Sequence, residues 1–455
     1  MQSYDLVVIG AGSGGLVAAT TGHRKGLKTA LIEKNKIGGE CTHYGCVPSK
    51  ALINAAKAYH SLDKMDDLGI SVERPKPDFA KIMEQVDEIV QGIYQHETPE
   101  VFQGMGIDVF VDKSGAQFQD AHTITVGEQT IESKHFILCT GSGPKLPDIE
   151  GIENVNILHN ENFWELRSHP ARTVFIGGGV ISLELSQALS RLGCDVTVFD
   201  RNPRVLKVVD EEVGLFITEK IKKEGVRFIG NAEPTKFTDS NTLIYQEDGE
   251  EKEVVADSFF VAAGRVPSTR GMQLEEAGVE FTEKGIGTNE FLQTSVPHIY
   301  ACGDVATPQK FTHVASFQAE ICVENILTGN TRRNDLSVLP WAIFTEPEIA
   351  HVGLSENEAR QTYGEEHISI FKVDASIDRF ITDRKTGGFL KVIFNDDDLA
   401  VGADAVAAHA GEWIQIITLA IKNKIPAKVM AETIFAYPTY SEIVKKAFSR
   451  YLRSK

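Results

Sequence analysis

Two cysteines with four residues between them carry the most specific chemistry in the chain, within Gly38-Gly39-Glu40-Cys41-Thr42-His43-Tyr44-Gly45-Cys46-Val47-Pro48-Ser49-Lys50. A helix is predicted over Ala51–Ala58 with Pro48 in its first turn, which puts Cys46 at a helix N-terminus where the dipole favours thiolate. Lys50, four residues on, shares that helical face and adds a positive charge. A disulfide between Cys41 and Cys46 would close a very small loop, gain little chain entropy and be easy to reduce. A half metal site or two structural thiols are the alternatives. No second Cys/His pair stands at zinc spacing, so no metal is expected.

The elements that would position this pair repeat along the chain. Leu6-Val7-Val8-Ile9 reads as a buried strand followed by Gly10-x-Gly12-x-x-Gly15, and Val174-Phe175-Ile176 as a second strand followed by Gly177-x-Gly179-x-x-Ser182. A shift of 167 also carries Gly26 onto Gly193 and Glu33 onto Asp200. Each unit is strand, glycine turn, helix, strand and closing acid, the dinucleotide-binding βαβ pattern. The first glycine makes the turn, the second lets backbone approach a pyrophosphate, and the helix N-terminus stabilises its charge. Glu33 and Asp200 would each accept from a ribose. Two such units imply electron transfer between two dinucleotides.

Phe79, Ile82, Met83, Val86, Ile89, Val90 and Ile93 recur at helical spacing and read as a core-packing helix, with strands near 107–111, 123–126 and Phe136–Leu138. Near Pro340 the pattern changes to a last block of mixed strands and helices. The length, 455 residues, suggests about three domains. A hydrophobic share of 42% and a charged share of 24% exclude wholesale disorder. The formal net charge of −18, with no basic run, argues against a nucleic-acid partner. No apolar stretch reaches the ~20 residues of a membrane helix and no signal-peptide pattern opens the sequence, so no membrane association and a cytoplasmic location are expected. Six cysteines in such a chain are no disulfide scaffold.

With these motifs the sequence resembles the FAD-dependent pyridine nucleotide-disulfide oxidoreductases, the family of glutathione reductase, dihydrolipoamide dehydrogenase and mercuric reductase. The resemblance runs on through Glu184, Ala263-Gly264-Arg265-x-Pro267, Ala301-Cys302-Gly303-Asp304, Phe344-Thr345-x-Pro347 and Pro438-Thr439-x-x-Glu442. It implies an α/β fold of two Rossmann-like domains plus a C-terminal α/β dimerisation domain. FAD would bind to residues 1–147 with 266–336, NADH or NADPH to 148–265, and 337–455 would form a homodimer interface. FAD contacts would come from Gly10, Gly12, Gly15, Glu33, Lys34, Gly39, Lys50, Gly115, Thr140, Gly141, Ser142 and Asp304. NAD(P) contacts would come from Gly177, Gly179, Ser182, Asp200, Arg201 and Gly264. Electrons would pass from NAD(P)H through flavin to a Cys41–Cys46 disulfide, with Cys46 against the flavin and Cys41 attacking the acceptor. Lys50 and Glu184 match an ion pair beside the flavin; a solvated lysine and a structural acid are the plainer readings. Asp304 could instead cap a helix.

Where disulfide-reducing members carry a histidine before Pro-Thr, this chain has Tyr437, and mercuric reductases share that tyrosine. A phenol titrating near ~10 is a poor proton shuttle beside an imidazole near ~6.5. Glu442 would act there, or complete a Thr439-x-x-Glu442 capping box for the last helix. The sequence ends Arg450-Tyr451-Leu452-Arg453-Ser454-Lys455, without the cysteine pair mercuric reductases use to pass Hg(II) inward. Lys445, Lys446, Arg450 and Arg453 read as a solvated helix face, and His409 as structural. Asp200 favours the free 2′-hydroxyl of NADH, whereas Arg201 and Lys207 would attract a 2′-phosphate. The expected acceptor is thus a small thiol-reactive species: a soft metal ion such as Hg(II), or an oxidised thiol. A dihydrolipoamide dehydrogenase or other small-disulfide reductase, and a redox-sensing flavoprotein that acts by partner binding, are the alternatives.

Overall fold

The structure, a computed structural model, describes residues 2–455. β1 (Gln2–Ile9) buries Leu6, Val7, Val8 and Ile9 together, as a parallel strand covered on both faces must. It continues into helix α1 (Ser13–Arg24) and β2 (Thr29–Glu33), with Leu6–Ile9 in parallel register against Thr29–Ile32. The strands 108–111, β2, β1, 129–138, 123–126 and 116–118 form a seven-stranded sheet in that order, joined through 129–138 by the strand 299–301. The first four of these and 299–301 run parallel; 123–126 and 116–118 are an antiparallel hairpin.

The second copy of the unit, strand Arg172–Ile176, helix Val180–Arg191 and strand Asp195–Phe199, anchors a parallel five-stranded sheet ordered 227–229, 195–199, 172–176, 258–261, 157–158. The two turns match closely. Gly10 and Gly177 have φ of +98° and +103°, and the helix N-caps Gly12 and Gly179 have φ, ψ of −80°, −170° and −81°, −173°. A Cβ on Gly15 would lie 1.7 Å from the Gly10 carbonyl oxygen, which is why the third position takes glycine there. Ser182, its counterpart, is fully buried with an unpartnered hydroxyl, so packing room rather than bonding selects the small residue.

The C-terminal block is an antiparallel five-stranded sheet ordered 341–343, 348–353, 400–407, 389–395, 368–374, covered by the helices Ala410–Lys422 and Glu442–Arg453. It is bolted to the nucleotide-binding units by buried charge. Arg191 bonds Glu224 at 2.9 Å and Glu346 at 2.7 Å, and Lys391 bonds Asp210, the N-cap of the helix Glu211–Lys223, at 2.5 Å and Glu356 at 3.1 Å.

Two local readings need correction. The helix Phe79–Tyr94 forms as its periodicity predicts, but only Phe79, Met83, Val86 and Val90 are buried; Ile89 and Ile93 face outward, since seven apolar positions make a stripe wider than the neighbouring helix covers. The last helix starts at Glu442 with Ser441 as N-cap, so only half of the expected box exists. Glu442 accepts from the Thr439 amide at 3.2 Å, while the Thr439 hydroxyl turns back to the Ala436 carbonyl at 2.8 Å. Among the described residues, no helix is long and apolar enough to cross a membrane.

Candidate functional site

Cys41 lies in a short helix, Gly39–His43, and Cys46 is the first residue of the helix Cys46–Ser61 that follows Tyr44 and Gly45. The helical tract thus begins five residues before Ala51. Both cysteines are thiols here, Cys46 exposed and Cys41 partly so. The Thr312 hydroxyl sits 3.3 Å from the Cys46 sulfur. The Cys46 thiol is pushed down to about 6, first by the hydrogen bond from Cys41 and then by Thr312 and the Lys50 charge, against the opposing effect of burial. The same bond and burial push the Cys41 thiol well up. The helix N-terminus, Lys50 and the Thr312 hydroxyl thus favour the thiolate at Cys46 over Cys41.

Lys50 Nζ bonds Glu184 Oε2 at 2.9 Å, joining the redox helix to the helix of the second βαβ unit. Glu184 is buried, and its other oxygen accepts from the Phe344 amide at 2.8 Å, while Lys50 lies over the Phe344 ring at 4.6 Å from its centre. One carboxylate thus ties all three sheets' neighbourhoods to the cysteine pair. We expect Lys50→Met to raise the pH at which Cys46 reacts with iodoacetamide, and Cys41→Ala to raise it further, because the Cys41 bond is the larger influence. Superimposable rate–pH profiles for both variants and the wild type would refute this account of the thiolate.

The first glycine turn opens on the same region. α1 begins at Gly12 with no side-chain cap and no acid in its first turn, which leaves amides free for an anionic pyrophosphate. Gly39 packs across it: a Cβ there would lie 2.6 Å from the Gly12 Cα, so the cysteine loop can approach the turn only with glycine. The Glu33 carboxylate accepts from the Ala11 amide at 2.7 Å and the Asn35 amide at 2.8 Å, fixed in place with acceptor capacity to spare for a ribose. Lys34 and Gly115 are neighbours at the end of β2. Thr140 holds the Ser268 carbonyl at 2.7 Å, Gly141 has φ +69°, and the Ser142 hydroxyl donates to Asp304 at 2.6 Å. Asp304 is the middle residue of the single 3-10 turn Gly303–Val305, whose N-cap position is Cys302. These residues fit a flavin dinucleotide.

Asp200 repeats the role of Glu33, accepting from the Gly178 amide at 2.6 Å and the Asn202 amide at 2.7 Å. Arg201 pairs with Glu233 at 2.9 Å. Gly264, with φ +122°, accepts from the Lys145 amide at 3.0 Å, beside the strand pair 265–267 and 142–144. Tyr437 and Glu442 stand apart from these residues. Tyr437 is 70% exposed and donates to Asp378 at 2.6 Å, a bond that pushes its phenol up, further from proton-shuttle range. Both line an open groove of about 410 Å³ with Lys445, Lys446, Arg450 and Arg453. His409 caps the helix Ala410–Lys422 and packs on Tyr440.

Four residues around the cysteine pair had no role assigned from sequence. Thr312 and Phe344 are distant in the chain and ordinary in type. Glu40 and Arg265 form a two-pronged ion pair, with Asn160 donating to Glu40 at 2.8 Å and Arg265 Nε to Ser142 at 2.8 Å. Burial pushes the Glu40 carboxyl up to about 7 against the pull of Arg265. An acid next to Cys41 and an arginine inside the Gly-Arg-x-Pro motif were the available signal.

Residues 4–319 match the pyridine nucleotide-disulphide oxidoreductase family, and residues 339–448 match that family's dimerisation domain. The chain is 34% identical to mercuric reductase of Staphylococcus aureus over 98% of its length and 82% of the relative's. It is also 34% identical to dihydrolipoyl dehydrogenase of Bacillus subtilis, over 97% of its length and 95% of the relative's. The Cu(II) complex of the HOCl-induced flavoprotein disulfide reductase RclA from Escherichia coli superimposes with a TM-score of 0.88 at 25% identity, covering 99% of this chain and all of that one. The chain therefore belongs to the pyridine nucleotide-disulphide oxidoreductases, NAD(P)H-dependent flavoprotein enzymes whose members bind FAD.

Proposed function

We propose that this protein is a homodimeric reductase that uses NADH, or either nicotinamide dinucleotide, to deliver an electron pair through Cys41 and Cys46 to a small thiol-reactive acceptor, foremost a soft metal ion such as Hg(II). Residues 1–147 with 266–336 would hold FAD, 148–265 the nicotinamide dinucleotide, and 337–455 the partner subunit. FAD, when bound, supplies the means of moving an electron pair from reduced nicotinamide to the cysteine disulfide. Glu33 would hold its adenosine ribose and Asp304 its ribityl chain or a nearby phosphate, and Lys50, held by Glu184, keeps a positive charge beside Cys46.

The observation that carries the metal reading is Tyr437. Its phenol donates to Asp378 and is pushed up, so it holds its proton; offered to the other subunit's cysteine pair, as the family's histidine is, it would present a hydrogen bond where a disulfide reductase needs a base. A soft cation needs no base on the protein: the Cys46 thiolate and Cys41 bind it by displacing two carrier thiolates, one of which leaves with the Cys41 proton as a free thiol. Mercuric reductases among the relatives, and a copper complex of a structural neighbour, support this acceptor class. Reduction of a disulfide would instead proceed by Cys41 attacking one sulfur and releasing a thiolate. Cys46 would then attack Cys41, release the second thiolate and re-form the Cys41–Cys46 bond. The match to dihydrolipoyl dehydrogenase along 97% of the chain favours that second reading.

Anaerobic NADH and NADPH oxidation by the FAD-loaded protein separates the two, with Hg(II) plus excess thiol, glutathione disulfide and lipoamide as acceptors. Cys41-dependent turnover with Hg(II) and little with the disulfides is expected. Turnover with a disulfide instead would mean that Tyr437 is bypassed in proton transfer, and the metal reading would fall.

The partner subunit would cover the exposed C-terminal apolar residues, of which Ile434 is 92% exposed. A monomer in equilibrium sedimentation that kept full turnover would contradict this arrangement. In the nicotinamide site, Asp200 would repel a 2′-phosphate and Glu233 already engages Arg201. Asp200→Ala should raise NADPH efficiency relative to NADH about tenfold, ~1.4 kcal/mol. An unchanged ratio of kcat/KM values would remove Asp200 from cofactor selection.

A further inference from the structure

Three cysteines that the reaction does not use are gathered beneath the first glycine turn. Cys139 follows the strand 129–138, Cys302 follows the strand 299–301, and Cys322 lies on the helix Thr312–Thr328. They are 8%, 1% and 0% exposed and belong to one apolar cluster with Leu6, Val8 and Ile137. The sulfurs of Cys139 and Cys302 are 3.4 Å apart. Their backbones are held in place: Leu138 and Ala301 are register partners, the Cys139 amide bonds the Ile9 carbonyl at 2.7 Å, and the Cys302 amide bonds the Leu138 carbonyl at 3.0 Å. Cys139 and Cys302 are thus the next residues on neighbouring parallel strands. The strand spacing of about 4.8 Å falls inside the ~4.4–6.8 Å Cα window that a disulfide accepts. The hydrogen bond with Cys139 pulls the Cys302 thiol below the ordinary range against the opposing effect of burial.

We propose that Cys139 and Cys302 are a second redox dithiol, which closes to a disulfide inside the folded protein when it meets a small two-electron electrophilic oxidant such as hypochlorous acid. The Cys302 thiol attacks the chlorine, giving a sulfenyl chloride and water. Cys139 thiol then attacks that sulfur, releasing chloride and a proton and leaving the S–S bond. The oxidant gains the two electrons that the dithiol loses. The bond would clamp together the strand ends whose next residues, Thr140–Ser142 and Gly303–Asp304, border the flavin site. Its pairing is separate from the Cys41–Cys46 pair and stands whether or not the acceptor proposed above is right.

The test is peptide mapping without reductant on FAD-loaded wild type and on the Cys41→Ser/Cys46→Ser double variant, each treated with sub-stoichiometric to equimolar hypochlorous acid. Free thiols are blocked by alkylation during denaturation, and flavin absorbance and circular dichroism confirm that the protein was folded when oxidised. The expected result is a Cys139–Cys302 cross-linked peptide in both proteins, with loss of two alkylatable thiols in the double variant, reversed by dithiothreitol. A Cys302–Cys322 cross-link, irreversible sulfur acids without a cross-link, or a Cys139–Cys302 bond that forms only in urea would each overturn the proposal.

Discussion

Replacing either Cys41 or Cys46 by serine should lower acceptor reduction by about 10³-fold or more, since removing a nucleophile that acts as part of a unit forfeits most of what the unit does. FAD should stay bound, because the residues that fit it are backbone amides, Glu33 and Asp304 rather than the thiols. The two variants should differ in what remains. Cys41→Ser leaves Cys46, placed at a helix start beside Lys50 and Thr312, still partly ionised at neutral pH. Cys46→Ser leaves Cys41, whose thiol no longer has its low-pKa partner. Steady-state NADH oxidation with each acceptor, alongside flavin absorbance and an iodoacetamide rate profile, reads all three quantities. Turnover that survives in either variant with flavin retained would eliminate the dithiol mechanism.

The largest stability effect should come from Arg191→Met. The Arg191 side chain is 3% exposed and bonds Glu224 twice, at 2.9 and 3.1 Å, and Glu346 at 2.7 Å. Gln187 reinforces the same joint through Glu224 at 3.0 Å and through the Glu346 backbone at 2.9 and 2.8 Å. Removing the cation leaves the buried Glu224 with Lys220 as its cation, at 3.2 Å, and takes from the partly exposed Glu346 its bond to Arg191, which costs about 3 kcal/mol. Burial pushes the Glu224 carboxyl up, and the bonds from Arg191 outweigh it and hold it below its ordinary value. An acid with a lowered folded pKa stabilises the fold above its unfolded pKa and loses that contribution as pH falls through the folded one. The gap between wild type and Arg191→Met should therefore be full at neutral pH and close as pH drops below the ordinary glutamate range. Urea midpoints of the FAD-loaded proteins across that range measure it; a neutral-pH midpoint equal to wild type would show that the joint carries no net stability.

Much of this protein was legible in its sequence because the information was local. A glycine turn needs particular φ values and close backbone approach, so Gly10-x-Gly12-x-x-Gly15 and its copy 167 residues on state their own geometry, down to matching dihedrals. The closing acids Glu33 and Asp200 follow from the length of one βαβ unit. The cysteine pair, its helix N-terminus and Lys50 lie within ten residues and obey helix periodicity. Local pattern was less informative where helix faces meet neighbours: the apolar stripe of the helix Phe79–Tyr94 did not say which two isoleucines would be left outside.

What only the tertiary structure decided is how distant charges and thiols meet. Glu184 reaches Phe344 across 160 residues and Glu40 reaches Arg265 across 225; the Lys50–Glu184 pair, 134 residues apart, was expected through the family resemblance alone. None of these pairings has a period or a spacing, because each depends on how separately formed sheets are packed against one another. The same holds for Cys139 and Cys302, separated by 163 residues and brought to 3.4 Å because the strand 299–301 returns to lie beside 129–138. Parallel pairing joins strand ends that the chain reaches only after a long crossover, so sequence proximity singled out Cys41 and Cys46 and was silent about the buried pair.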